Sequence, residues 1–322
     1  MPPTINITQL VSEFGSWIGK NQSYIKTLLL QDTVSEKFMT HIIQDDDYRA
    51  SKAVIDDIVQ GFQQGWTPKG TAAFTPISTV HRRHKFDIDL TPDDVVGSWL
   101  GFLVTENVER SQWPITRYIL EKLIMPKIAE NRELKIIANG VYAAPVDGVA
   151  QDTGLSMDGF CTIIQNKYNA GTSKVNFIGL GTFTHLDIFN QIEAFADNMK
   201  EVYQSVPMNI YMSRKWFRAY LRRKRDLLGI DPTYKGMEDH MIDGTNLTLV
   251  PLPSMAGQDM IFATPQENFI KLTKVNDGPS TLRIESIKRV ISIFADWHEA
   301  VGFAVEEAIF ASISGDEKSA SF

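Results

Sequence analysis

Apolar residues fall at helical spacing along WPITRYILEKLIMPKIAENRELKIIANG, residues 113–140. Ile115, Ile119, Leu123, Ile124 and Ile128 recur along one side, with Glu121 and Lys122 turned away. The pattern predicts one long helix with Pro114 in its first turn, where that N–H has no intrahelical partner anyway. Gly140 is expected to end it in the left-handed region. Pro126 removes a backbone bond and is expected to kink the helix or split it in two. Such a helix needs a large surface to lie on. The remaining chain supplies strands rather than a second set of helices, so the fold class is α+β.

Residues 4–64 read as helices joined by polar links. Thr8 caps a segment carrying Leu10, Val11, Phe14, Trp17 and Ile18, and a second holds Tyr24, Ile25, Leu28 and Leu29. VSEKFMTHII and the acid run Asp45–Asp47 follow. SKAVIDDIVQGFQQG then places Val54, Ile55, Ile58, Val59 and Phe62 on one helical face. The acid run is expected as a solvated turn before that helix, where negative charge is favoured, rather than as a cation site. From Gly65 the texture changes. Phe86, Ile88 and Leu90 alternate with Asp87 and Asp89, the period of a half-buried strand. Residues 74–80 form a weaker strand, read as its antiparallel partner. Such a ribbon is marginal alone and needs a neighbour, such as another subunit, over its apolar face. TPDD caps a helix through VVGSWLGFLVTEN. Past Gly140 the reading continues with strand-like CTIIQN and VNFIGLGTF, and a helix with Ile188, Ile192, Phe195, Met199 and Tyr203 on one side. The strand PMNIYMS then enters the basic stretch RKWFRAYLRRKRDLLG. LTLVPLP, DMIFATP and NFIKLTK are short strands. The segment from Arg289 to Ile313 reads as apolar strands broken at Asp296–Glu299. This late return to strands suggests that the middle of the chain is an insertion.

The 322 residues allow one large domain or two moderate ones, and 43% hydrophobic content is ordinary for a globular chain. A formal net charge of -7 argues against a general nucleic-acid binder. No apolar run approaches the roughly 20 residues that span a bilayer, and the N-terminus lacks a signal-peptide pattern, so no membrane partner is expected. Cys161, the single cysteine, is expected as a small buried hydrophobe in a reducing compartment.

Catalytic signatures are missing. Gly179-Leu-Gly181 lacks the rest of a phosphate loop and reads as a strand-end turn. His81 and His84 sit among arginines on opposite faces, which does not make a metal site. Asp296-Trp-His298-Glu299 brings titratable groups close, but a turn with a hydrogen-bonded histidine is the preferred reading; Asp239-His240 is equally thin. No catalytic, cofactor or metal residue is assigned. The basic stretch gathers Arg214, Lys215, Arg218, Arg222, Arg223, Lys224 and Arg225, with Trp216, Phe217, Tyr220 and Leu221 on its other side. Lying along phosphates is one reading. A helix face in contact with another subunit is preferred, since arginine is favoured in interface ion pairs.

In this order the features resemble the HK97-fold major capsid proteins of tailed bacteriophages. QQGWTPKGTAAFTP followed by HRRHKFDIDLTPDD resembles their extended loop, and PITRYILEKLIMPKIAENRELKIIANG their spine helix. PMNIYMSRKWFRAYLRRKRDLLG resembles the strand, helix and glycine of the axial domain. LVPLPSMAGQDMIFATPQENFIKL and FADWHEAVGFAVEEAIFASI resemble the closing strands. The resemblance implies an N-terminal arm (1–64), an extended β-ribbon loop (65–92), a peripheral domain with the spine helix (93–140), an inserted axial domain (141–275) and returning peripheral strands (276–322).

It further implies a virion protein, not an enzyme, that assembles in the bacterial host cytoplasm. Hexamers and pentamers of the chain itself would form an icosahedral shell around double-stranded DNA, without sequence-specific binding. Portal and scaffolding proteins are the expected partners; the short helical N-terminal segment implies a separate scaffold or none. Inter-subunit contacts are expected at Trp66, Lys69, Phe74, Arg82, Arg83, Lys85, Phe86, Arg218, Arg222, Arg223 and Arg225. Lys69 and Lys85 carry no sign of a cross-linking partner. The alternatives are an encapsulin-type nanocompartment shell of the same fold, another structural virion protein that forms rings or tubes, and a soluble enzyme using Asp296–Glu299.

Overall fold

The computed structural model describes residues 16–17, 19–29, 32–55, 59–69, 72–110, 112–171, 173–200, 203, 205–229, 240–242, 244–274, 282–287 and 290–315. Among them two mixed sheets and one two-stranded ribbon are joined by helices, an α+β arrangement. The first sheet is centred on β11 (Val290–Phe303). β4 (Arg82–Leu90) pairs antiparallel with it over residues 291–299; β10 (Arg283–Ile287) and β9 (Phe269–Thr273) also pair antiparallel with it, at its two ends. β1 (Thr40–Ile43) lies parallel to β9 at the edge. The second sheet runs β5 (Asn176–Phe177), β12 (Phe310–Ile313), β8 (Met260–Thr264), β6 (Met208–Ser213), β7 (Leu247–Leu252).

The long helix is present as one continuous element over residues 115–136, here α3. α1 (Gln22–Leu29) and α2 (Pro92–Thr105) pack beside it. Ile115, Ile119, Leu120, Ile124 and Met125 of α3 are buried against Ile291, Ile293, Ala295 and Trp297 of β11. Leu123, expected on the same stripe, is exposed. Pro126 does not split the helix. A wide π-turn, Ile119–Ile124, immediately precedes it and takes up the lost donor, and helical structure resumes over Met125–Asn131. A second π-turn spans Arg132–Ile136. Gly140 is not in the left-handed region. It is buried where a side chain would collide with the Met157 and Ile136 carbonyl oxygens.

α5 (Ile188–Asp197) and α6 (Arg214–Leu228) bury Ile192, Phe195, Trp216 and Tyr220 against the second sheet. α4 (Phe160–Ala170) covers a third core with Phe262, Phe269 and Phe303, where Phe160 meets two of these rings at 5.4 and 5.2 Å. CTIIQN, expected as a strand, is therefore helical. Cys161 is buried within it, and burial pushes its thiol pKa up.

Four expectations are corrected by the strand pairing. SKAVI is not the start of a helix: it lies in β2 (Tyr48–Ile55), which pairs antiparallel with β3 (Ala72–Thr79), from Tyr48↔Thr79 to Ile55↔Ala72. The strand around Phe74 thus pairs with the segment before it, and not with 86–90. β4 is instead committed to β11, where burying Phe86 and His84 against Trp297 outweighs a local hairpin. The Asp45–Asp47 turn consequently precedes a strand, with Asp47 accepting the His81 N–H at 3.0 Å. Asp296–Glu299 does not break the last strand. β11 runs through it with alternate residues buried, because Asp296 faces out toward Arg83 and Glu299 faces in toward Arg132. The segment through Phe14 with its cap at Thr8, as well as Ile18, Ile58 and Asp239, lies outside the described residues.

Candidate assembly surfaces and a buried charge cluster

The residues expected to touch neighbours fall on three separate surfaces. The first is the connection between the ribbon strands. Val59, Phe62 and Trp66 are 84, 98 and 93% exposed there. The Lys69 ammonium donates to the Val59 carbonyl at 2.9 Å, and Gln60 donates to the Thr67 carbonyl at 2.6 Å, so the backbone is held while the apolar groups point into water. Phe74 lies in β3 in register with Ala53.

The second surface is β4, in the body rather than the ribbon. The Arg82 guanidinium lies 3.6 Å from the Tyr142 ring centre, Arg83 pairs with Asp296, Lys85 donates to Asp87 at 2.7 Å, and Phe86 is half-buried against Trp297. They line an open concavity of about 1370 Å³ between β4, α3 and the loop 142–156. The third is α6. Arg214, Arg218, Arg222 and Arg225 are spaced four, four and three residues apart and share one exposed face; none forms an ion pair among the described residues. Arg223 is half-buried and its Nε has no acceptor there. Trp216, Phe217 and Tyr220 anchor the opposite side, and His240 packs on the Phe217 ring at 5.0 Å.

Between these surfaces lies a cluster that sequence reasoning missed. Arg132 on α3 donates to Glu36 at 2.6 Å and to Glu299 at 2.8 Å; Lys271 on β9 reaches Glu36 at 3.1 Å and Asp32 at 3.0 Å. Arg132, Lys271, Glu36 and Glu299 are all within 1% of full burial. Burial opposes the charged form of Glu299, yet Arg132, His84 and Lys271 together hold its pKa well below the carboxylate range. One residue along, Glu133 accepts from Ser35 N (3.1 Å), Ser35 Oγ (2.6 Å) and Ser254 N (3.1 Å). His84 is buried beside the cluster, stacked on Trp297 at 5.6 Å. Burial holds its imidazole pKa down; Glu299 opposes this while Arg132 and His298 reinforce it.

Within β11, Asp296 and His298 point to one face while Trp297 and Glu299 point to the other, and both carboxylates are engaged by arginines. Among the described residues, no three His, Cys, Asp or Glu side chains are placed to share a metal ion.

No protein-family model matches the chain, and no curated protein sequence does. Solved structures do. A chain of the satellite phage P4 procapsid, which includes the size determination (Sid) protein, superposes with a TM-score of 0.58 at 13% identity, over 97% of this chain and 99% of that one. A chain of the native GTA particle capsid gives 0.53 at 12% identity, over 89% and 98%. A Gordonia phage Cozz chain gives 0.50 at 7% identity, over 89% and 87%. At these identities the likeness is one of fold, and the chain has the HK97-like α+β fold of phage and GTA capsid structures.

Proposed function

We propose that this chain is a major capsid protein, a shell subunit that self-assembles as hexamers and pentamers into an icosahedral container for phage double-stranded DNA. The observation that carries the reading is a capsid-type fold shared over 97% of the chain and 99% of the procapsid chain it matches. In this reading α3 is the spine helix of the peripheral domain, the second sheet with α5 and α6 is the axial domain, and the β2–β3 ribbon is the extended loop. The ribbon's two strands pair only with each other among the described residues, and an isolated two-stranded ribbon is marginal in water. A neighbouring copy supplies what it lacks. Trp66 and Lys69 at one end, with Phe74 in β3, reach across to the concavity lined by Arg82, Arg83, Lys85 and Phe86. The arginines of α6, namely Arg218, Arg222, Arg223 and Arg225, meet acidic groups of a second neighbour. Portal and scaffolding proteins complete the particle.

Negative-stain electron microscopy beside light-scattering mass tests this directly. Closed shells, or rings of five and six subunits, are expected, with nuclease-protected DNA inside particles from the native source. A monodisperse monomer or dimer at every concentration and salt tested would overturn the reading.

A further inference from the structure

The segment 32–43 joins the body through apolar contacts of Phe38, Met39 and Ile42 and, in addition, through buried charge. Its Glu36 bridges the buried Arg132 and Lys271, which also pair with Glu299 and with the part-exposed Asp32. Its Ser35 supplies two of the three hydrogen bonds that satisfy the buried Glu133. Arg132 and Glu133 are consecutive on α3, and neighbours on an α-helix diverge by about 100°. The π-turn at Arg132–Ile136 places more residues in each turn, so both side chains reach the same segment. With the segment lifted away, Arg132 loses Glu36 and keeps Glu299, Lys271 loses both Glu36 and Asp32, and Glu133 keeps Ser254. Buried charges left in that state are costly.

The same segment seats the ribbon. Glu36 leads into β1, which pairs with β9 from Thr40↔Ile270 to Ile43↔Thr273. Gln44 N then donates to the Thr273 carbonyl at 2.9 Å, and the Gln44 side chain donates to the Asp47 carbonyl at 3.1 Å. Asp47 in turn accepts the His81 N–H, which ties the two legs of the ribbon together at its base. Ile42 and Tyr48 pack on Ile270, Leu272 and Ala300. At the other leg Thr79 closes against Gly302, where a Cβ would lie 2.8 Å from its hydroxyl oxygen.

We propose that residues 32–43 form an ionically locked strap, with Glu36 as the lock, whose docking onto Arg132 and Lys271 fixes where the β2–β3 ribbon sits on the body. The strap releases as a unit, because it neutralises two cations and solvates one carboxylate at once, and its release frees the ribbon base. The lock belongs to the single subunit and stands apart from the shell reading.

Hydrogen exchange on the full-length protein tests the lock. In Glu36→Gln, amides of 33–43 and of the ribbon strands 48–55 and 72–79 are expected to exchange at least about tenfold faster, with β6 and β8 unchanged. Adding Lys271→Met removes the buried cation that Glu36→Gln leaves with only the part-exposed Asp32, and is expected to restore protection in both segments. Acceleration confined to 33–43 would overturn the coupling to the ribbon. Acceleration spreading to β6 and β8 would reduce Glu36 to a general stability residue. Failure of Lys271→Met to restore protection would show that charge balance is not the lock.

Discussion

A Cβ added at Gly140 would lie 2.4 Å from the Met157 carbonyl oxygen and 2.6 Å from that of Ile136, both backbone atoms that cannot swing aside. Gly159 meets the Ala138 carbonyl in the same way at 2.3 Å. The end of α3 and the start of α4 are thus pressed together backbone to backbone. Gly140→Ala is expected to cost about 1–3 kcal/mol, read as a lower urea midpoint at unchanged slope. An unshifted midpoint would mean that the contact relaxes freely. The buried cluster predicts a pH dependence of defined sign. His84 and Glu299 both have folded-state pKa values below their unfolded ones. Each therefore contributes stability above its unfolded pKa and loses it as the pH falls toward the folded value. Stability should decline first below about 6.5, from His84 together with His81, whose imidazole burial also holds down, and again below about 4.3, from Glu299. Urea midpoints at pH 8, 6 and 5 measure the first stage. His84→Phe keeps a ring against Trp297 and should shrink that stage; a wild-type midpoint constant from pH 8 to 5 would refute the assignment.

At the scale of elements, the exposed ribbon connection allows the proposed assembly to be tested apart from folding. Trp66 is almost wholly exposed, so Trp66→Ala should leave the unfolding free energy from urea titration within about 0.5 kcal/mol of wild type. If the ribbon crosses to a neighbour, the same variant should sharply lower the yield of closed particles by electron microscopy. Unchanged particle yield would remove Trp66 from the contact. The ribbon also marks where sequence pattern gives out. α3, α5, α6 and the strands β6 to β9 are legible because each carries a clean period of 3.6 or a short apolar run between Pro, Gly and Asp. SKAVIDDIVQ has apolar residues that fit a helical face, yet its first part is a strand, because Tyr48 and Ile42 find a seat on β9 and β11. That gain is tertiary and leaves no local trace. Likewise β4 reads as a strand, but its partner 200 residues away does not follow from its alternation. The charge cluster did leave a trace. Ile124, Ile128, Arg132 and Ile136 follow one another at i+4, so Arg132 occupies an apolar stripe position, and Lys271 interrupts FIKLT between Ile270 and Leu272. A charge in such a place needs a buried partner; only the partner's identity required the fold.

On the shell reading, charge decides how copies meet at the scale of the whole molecule. The chain carries a formal net charge of -7, so two copies repel unless local patches are complementary. The exposed stripe of Arg214, Arg218, Arg222 and Arg225 on α6 is such a patch, held rigid by Trp216, Phe217 and Tyr220 beneath it. Arg223 is a poorer probe than its neighbours, because it is half-buried and its replacement disturbs packing as well as charge. Arg218→Glu with Arg222→Glu alters only the exposed stripe. Far-ultraviolet circular dichroism and the urea midpoint should stay close to wild type. Assembly should fail at physiological ionic strength, where light scattering would report free subunits. Raised salt should weaken assembly of the wild type itself, since exposed charges more than a Debye length of about 8 Å apart are screened. If the double reversal assembles as well as wild type, α6 faces neither a neighbour nor any other anion that assembly requires, and the subunit contacts reduce to the ribbon and β4.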